Sequence, residues 1–188
     1  FADMHTHSVN SHDSVCEIED MCLMQIKRGA KIFAVTDHCD VFSYKDYDIH
    51  TPIRNSADTV RRLNEKYGEK CLILSGVEIG EGFWYKSEYE KIHSLLAYDV
   101  ILGSVHCVKY KDLETPYSGI DFSKLTNEQI YSYMNCYFND MLEMIDRRFF
   151  DRKYSAMPTF GYCLAVNIDG RRPHVPCGEF FCYRVTQY

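Results

Sequence analysis

Three apolar, β-branched runs punctuate the chain, and amphipathic stretches separate them. The first run is Lys31-Ile32-Phe33-Ala34-Val35-Thr36-Asp37-His38, the second Cys71-Leu72-Ile73-Leu74-Ser75-Gly76-Val77-Glu78, the third Asp99-Val100-Ile101-Leu102-Gly103-Ser104-Val105-His106. Near-continuous hydrophobicity of this kind predicts parallel strands covered on both faces. Before the first run, Ser14-Val15-Cys16-Glu17 reads as a capping box ahead of apolar positions at Ile18, Met21, Cys22 and Ile26, with a stop at Gly29. Thr51-Pro52 opens a second helix that runs to Tyr67 and stops at Gly68. Capping boxes at Ser87-Glu88-Tyr89-Glu90 and Thr126-Asn127-Glu128-Gln129 open two more, the last reaching Ile145. Residues 39–50 and 107–125 read as polar loops. Such strand-then-helix alternation predicts an α/β fold with a parallel sheet and right-handed crossovers.

Composition narrows the class. With 188 residues, 46% of them hydrophobic and 26% charged, the chain is sized for one soluble domain with a real core. No apolar run approaches the roughly 20 residues of a membrane span, and no charged-then-apolar leader precedes Asp3, so the expected setting is the cytoplasm, without a membrane partner. A net charge of -6 argues against a nucleic-acid partner, which needs a basic stripe. It leaves room for a small phosphorylated substrate, because bound divalent cations reverse the field of a carboxylate-lined pocket. Nine cysteines, odd in number and without a Cys-x-x-Cys pair, make a poor disulfide framework and read as reduced thiols packed like small hydrophobes.

Candidate chemistry sits at the strand ends. In Asp3-Met4-His5-Thr6-His7 the two histidines share one face of an extended segment, and Asp13 follows within reach. His38, Glu78 and His106 then close the three apolar runs. In parallel α/β sheets the carboxyl ends of strands converge on one face. A hydrophobic core has no use for unpaired imidazoles there. His5, His7, Asp13, His38, Glu78 and His106 are therefore expected to ligate metal, and neutral imidazoles with hard carboxylates suit Zn, Mn or Fe(II).

In these residues the chain resembles the PHP (polymerase and histidinol phosphatase) superfamily. The matching elements are Asp3-Met4-His5-Thr6-His7-Ser8 with Asp13, Thr36-Asp37-His38, Gly76-Val77-Glu78 and Ser104-Val105-His106, over residues 1–145. Thr-Asp-His-Cys-Asp and Asp-Val-Ile-Leu-Gly-Ser-Val-His look most like the histidinol-phosphatase branch. The resemblance implies a distorted (β/α)7 barrel of TIM-like form, two or three divalent ions with Glu78 bridging two of them, and hydrolysis of L-histidinol phosphate in histidine biosynthesis. Other phosphomonoesters, such as a phosphotyrosyl peptide or a nucleotide end, are the alternative, as is an inactive metal-binding remnant.

Around the ligands, Asp37 and Glu78 are the candidate catalytic residues. Asp37 either orients His38, joins the metal itself, or ends the strand as a turn residue. Arg54 is the candidate cation for the substrate phosphate, with a solvated helix residue as the alternative. Trp84 and Tyr85, on the loop after Glu78, either stack on the substrate or are ordinary loop aromatics. Cys39 and Cys107 should point away from the site by strand alternation.

Residues 146–188 depart from the family pattern. They lack its late Asp and His, and His174 stands among prolines and arginines as a loop residue would. The reading is of a PHP-type domain over 1–145 and an atypical tail, from a truncated or altered frame, that leaves the barrel incomplete. Phe149, Phe150, Phe160, Phe180 and Phe181 would then cover an open sheet edge.

Overall fold

The computed structural model describes residues 1–43, 46–110, 113–116, 119–147, 157–159 and 162–166, of which 43, 113–116, 157–159 and 162–166 are described as backbone alone. Five strands follow the expected order: β1 (Ala2–Thr6), β2 (Ile32–Val35), β3 (His38–Asp40), β4 (Leu72–Gly80) and β5 (Val100–Ser104). Between and after them lie α1 (Ile18–Lys27), α2 (His50–Tyr67), α3 (Lys86–His93) and α4 (Asn127–Asp146).

β1, β2, β4 and β5 pair in that order, all parallel. The first apolar run is split at Thr36-Asp37, so that β2 pairs with the first half of β4 and β3 with its second half. This is an α/β fold with a parallel sheet. β6 (Cys107–Tyr110) and β7 (Leu113–Pro116) form an antiparallel hairpin where a loop was expected. After α4, β8 (Met157–Thr159) and β9 (Tyr162–Val166) join the sheet antiparallel, β9 against β5. The segment after residue 146 thus adds strands to the sheet. Antiparallel strands need no helical crossover, so the strand–helix rhythm that marks the first half is missing from this part of the sequence. The expectations for His174 and for Phe149, Phe150, Phe160, Phe180 and Phe181 fall outside the described residues.

Three of the helix starts lack the caps the sequence suggests. Ser14 Oγ donates to the His7 carbonyl at 2.8 Å instead of capping α1. α3 starts at Lys86, ahead of Ser87, whose hydroxyl donates to the Glu88 carboxylate. Ahead of α2, Asp48 Oδ1 accepts from the amides of His50 and Thr51 at 3.0 and 3.1 Å. The α4 capping box forms as written, Thr126 and Gln129 each closing on the other's backbone. Gly29, with φ +81°, takes the left-handed turn after α1.

Register separates the two sheet faces. Phe33, Val35 and Ile73 face α1 and α2 with Ile18, Cys22, Val60 and Leu63. Cys39, Val77, Ile79 and Ile101 face α2 and α3 with Ile53, Tyr89 and Ile92. Opposite them, Ala34, Leu74, Val100 and Leu102 form an apolar floor on the inner face. Further along the same inner rows come His38 beside Glu78, and then Asp40 beside Gly80 and Ser104. Within a few residues the inner face turns from apolar to ionisable. Among the described residues no helix is long and apolar enough to cross a membrane.

Candidate metal centre

Glu78 is the centre of the site. Its carboxylate is wholly buried. One oxygen, Oε2, lies 3.4 Å from His5 Nε2, 3.2 Å from His7 Nε2 and 3.1 Å from His38 Nδ1. The other, Oε1, lies 3.3 Å from His106 Nε2. Four imidazoles, two from the end of β1, one from the start of β3 and one from just past β5, therefore converge on one carboxylate. Asp13 joins from the loop after β1, its oxygens 2.9 and 3.1 Å from His7 Nδ1 and 3.4 Å from His38 Nε2. The structure thus brings together all six residues that the sequence singled out as ligands.

Local structure explains how. An irregular register between Asp3 and Thr6 breaks the alternation of β1, and the Nε2 atoms of His5 and His7 meet at 2.8 Å. Gln25 on α1 pins the strand by donating to Asp3 at 2.7 Å. His38 opens β3 directly opposite Glu78. His106 stands on the bend between β5 and β6, just past the strand end the sequence assigned to it.

These ligands form three overlapping groups suited to an ion: His5, His7 and Glu78; His7, Asp13 and His38; and His38, Asp40 and His106. The donor set is one that divalent transition metals favour. Both Glu78 oxygens and His38 Nδ1 are buried without a hydrogen bond of good geometry. Polar atoms are not left so in a folded interior without compensation, since each costs about 1–3 kcal/mol. Cations among these atoms would satisfy them, so the residues fit a metal cluster.

Electrostatics agree with the crowding. Burial alone would raise the Glu78 pKa, but His106, His5 and His7 hold it well below the usual carboxylate range. Burial disfavours the His106 cation, yet Asp40 and Glu78 outweigh it and push its pKa up to about 10. For His7, too, Glu78 and Asp13 overcome burial and leave the pKa raised. At His38 burial prevails over Glu78 and the pKa falls. Asp13, despite some burial, is drawn down to about 2 by His7 and Ser11.

Four residues near the cluster escaped the sequence reading. Asp40 Oδ1 lies 2.7 Å from His106 Nδ1. The Glu81 carboxylate, wholly buried, accepts from the amides of His106 and Cys107 at 2.5 and 2.7 Å. Burial raises the Glu81 pKa to about 7 against the pull of those amides. Ser104 Oγ is 2.7 Å from His106 Nε2, and the exposed His12 ring lies 4.7 Å from that of His38. Asp40 and Ser104 left a trace in the sequence, Asp40 as the second acid of Thr-Asp-His-Cys-Asp and Ser104 at the head of Ser-Val-His.

Other assignments change. Asp37 belongs to none of the three ligand groups, because its oxygens are committed elsewhere. Oδ1 accepts from the Ser8 amide at 2.5 Å, and Oδ2 from the Ser8 hydroxyl at 2.8 Å and from Ser56 on α2. It is a buried anchor that ties the end of β1 to α2. Arg54 is exposed on α2. Trp84 packs on Phe83 and holds Lys109 Nζ 4.1 Å above its ring. Cys39 and Cys107 are buried, Cys39 in the core under α2 and α3.

Known proteins carry the same pattern. The PHP domain is matched over residues 3–169, past the limit at 145 that the sequence suggested. The chain is 30% identical over 111 residues to a protein of Clostridium acetobutylicum named "Probable histidinol-phosphatase", covering 59% of this chain and 41% of that one. To the histidinol-phosphatase of Lactococcus lactis subsp. lactis it is 27% identical over 134 residues, covering 70% and 48%. The chain thus spans less than half the length of these curated relatives. A crystal structure of the Lactococcus lactis histidinol phosphate phosphatase, complexed with Zn, L-histidinol and phosphate, superposes with a TM-score of 0.63 at 23% identity. It covers 77% of this chain and 53% of that one. The PHP match takes in most of the sequence and every ligand of the cluster, and the chain belongs to the PHP domain family.

Proposed function

We propose that this chain carries the metal centre of a phosphomonoester hydrolase whose substrate is L-histidinol phosphate. The observation that supports it most is the convergence of four imidazoles and Asp13 around the buried, unpartnered Glu78. The curated relatives named for this activity, and the Lactococcus lactis structure holding zinc with histidinol and phosphate, favour the substrate. On this reading the described strands are an arc of the distorted (β/α)7 barrel of the family.

Two or three divalent ions, Zn, Mn or Fe, would be held by His5, His7, Asp13, His38, Glu78 and His106, with Glu78 shared between two of them. When bound, such ions neutralise phosphoryl charge and supply a water nucleophile at neutral pH. The chain's own residues do the rest. Glu78 keeps its negative charge at any working pH and holds the imidazoles around it in place. The Ala34, Leu74, Val100 and Leu102 floor excludes water from beneath the site, which strengthens each charge interaction above it.

The test has two parts, since binding and turnover are separable in a chain of this coverage. Elemental analysis of chain purified without chelators should give at least two transition-metal ions per chain. Phosphate release from histidinol phosphate should then need metal and vanish in His7→Ala. Less than one ion per chain would overturn the metal centre. Full loading without release would overturn the assigned substrate, and release from phosphotyrosine or a nucleotide end would replace it.

A further inference from the structure

Resting on the metal-centre reading, we infer that Asp40, Gly80 and Glu81 form a socket that positions His106 and thereby sets how tightly the centre holds its metal. Gly80 and Glu81 lie outside the three ligand groups, Asp40 shares one of them with His38 and His106, and each approaches His106 from a different side.

Asp40 fixes the ring. Its Oδ1 lies 2.7 Å from His106 Nδ1, which makes Nδ1 the donor and leaves Nε2 as the lone pair that faces Glu78 at 3.3 Å. A histidine ligand whose second nitrogen donates to a carboxylate is held in one tautomer and made more basic, and losing such a partner typically costs 10–100-fold in metal affinity. Gly80 makes room for that bond. It stands beside Asp40 in the β3–β4 register, and a Cβ there would meet Asp40 Oδ1 at 2.5 Å and His106 Nδ1 at 3.0 Å.

Glu81 fixes the backbone. Through one oxygen it takes both amides of the bend that carries the ring, those of His106 and Cys107, and its other oxygen is buried without a partner. The residue adopts φ +55°, a left-handed conformation that crowds a side chain against its own backbone. Its own amide donates to the Ser104 carbonyl at 3.1 Å, so it is held from both ends. Strain that the surroundings enforce points to a task at that residue. Here it brings the end of β4, which bears Glu78, against the bend that bears His106.

The test uses cobalt(II) as the probe. The full chain is titrated with the ion, affinity is read against a competing chelator, and the visible d–d spectrum of bound cobalt reports ligand geometry. Thermal melting of the metal-free chain is followed in parallel. Asp40→Ala and Glu81→Ala should each weaken cobalt binding about 10–100-fold with an altered spectrum. Asp40→Asn, which keeps an acceptor but loses the charge, should fall between, and Glu81→Gln, whose carbonyl still accepts both amides, should bind almost as the parent does. Should an alanine variant not fold, Asp40→Asn decides for the ring and Glu81→Gln for the backbone. Parent-like affinity and spectrum in Asp40→Asn, or about tenfold loss in Glu81→Gln, would overturn the inference. A parent chain that binds no cobalt would remove the metal-centre reading and the socket together, whereas tight binding by parent and alanine variants alike would remove the socket alone.

Discussion

His38 stands opposite Glu78 in the β3–β4 register, its Nδ1 3.1 Å from Glu78 Oε2. A second strand pairing places Leu102 on Glu78's other side, so the carboxylate is flanked by a ligand on one neighbour and by the apolar floor on the other. Glu78 can only be buried there because positive charge faces it, whether from protons on the imidazoles or from metal ions.

Replacing that charge is the sharpest test of the centre. Glu78→Gln keeps the shape and removes what the four imidazoles surround. Metal affinity should fall by more than about 100-fold, beyond the loss typical of groups outside the ligand set. His106, deprived of one of its two carboxylates, should titrate below the value of about 10 that it has with both. Chelator competition reads the first effect and histidine proton NMR of the metal-free variant the second. Retention of tight binding would show that Glu78 is not central.

Of the six candidate ligands, His38, Glu78 and His106 were legible because each closes an apolar run, and His5, His7 and Asp13 because of their spacing. Parallel strands in register bring such ends together without any further information. Asp40, Glu81 and Ser104 were not legible, since a polar residue past a strand end is ordinary and only the β4–β5 pairing shows what it faces. The partners of Asp37 were not legible for a related reason: adjacency to His38 in sequence says nothing of Ser56, nineteen residues away on α2, which donates to its carboxylate. The hairpin of β6 and β7 lacked the apolar alternation that marks strands, and β8 with β9 lie beyond the last helix signal.

Asp37 should behave as an anchor. It gathers the amide and hydroxyl of Ser8 and the hydroxyl of Ser56, all buried, and Ser8 directly follows His7. Asp37→Ala would strand three donors, at a cost of about 3 kcal/mol or more in stability. Chemical denaturation of the metal-free chain measures it. A loss under about 1 kcal/mol, together with abolished turnover, would instead restore a direct role in catalysis.

Proton linkage gives the metal-free chain an unusual pH profile. Glu81, raised to about 7 from an ordinary 4.5, binds its proton more tightly when folded, so its contribution to stability is lost as pH rises from 4.5 through 7. His106, raised to about 10 from 6.5, adds stability that is complete below 6.5 and is lost as pH climbs through 10. Asp13, lowered to about 2, acts the other way, but its gain is complete above about 4. The melting temperature of the metal-free chain should therefore peak near pH 5 and decline toward pH 10. Metal must displace the His106 proton, so its affinity should rise with pH over the same range, with protons released to buffer on binding. Calorimetric titration in two buffers of different ionisation enthalpy counts them. Zero released protons at pH 7 would contradict the raised His106.

Gly80→Ala separates space from charge at His106. The substitution leaves every ionisable group in place and adds one methyl where Asp40 Oδ1 and His106 Nδ1 meet, at 2.5 and 3.0 Å from the added carbon. Gly80 has no left-handed backbone requirement, so the strand itself should accept alanine. The new Cβ cannot remain 2.5 Å from an oxygen, and the short Asp40 side chain has only rotation about its own bonds by which to yield. Its bond to His106 lengthens or breaks, and the ring loses the partner that fixes its tautomer. Cobalt affinity should fall about tenfold, at the lower end of the range for such partners, while His5, His7 and Asp13 keep their contacts. The melting temperature should drop by a few degrees, as for a modest overpacking strain of about 1–2 kcal/mol. If affinity is unchanged while stability drops, the methyl has been absorbed by the backbone and the Asp40–His106 contact does not govern the metal. Combining Gly80→Ala with Asp40→Ala decides the route: once the carboxylate is gone, the added methyl should cost no further affinity.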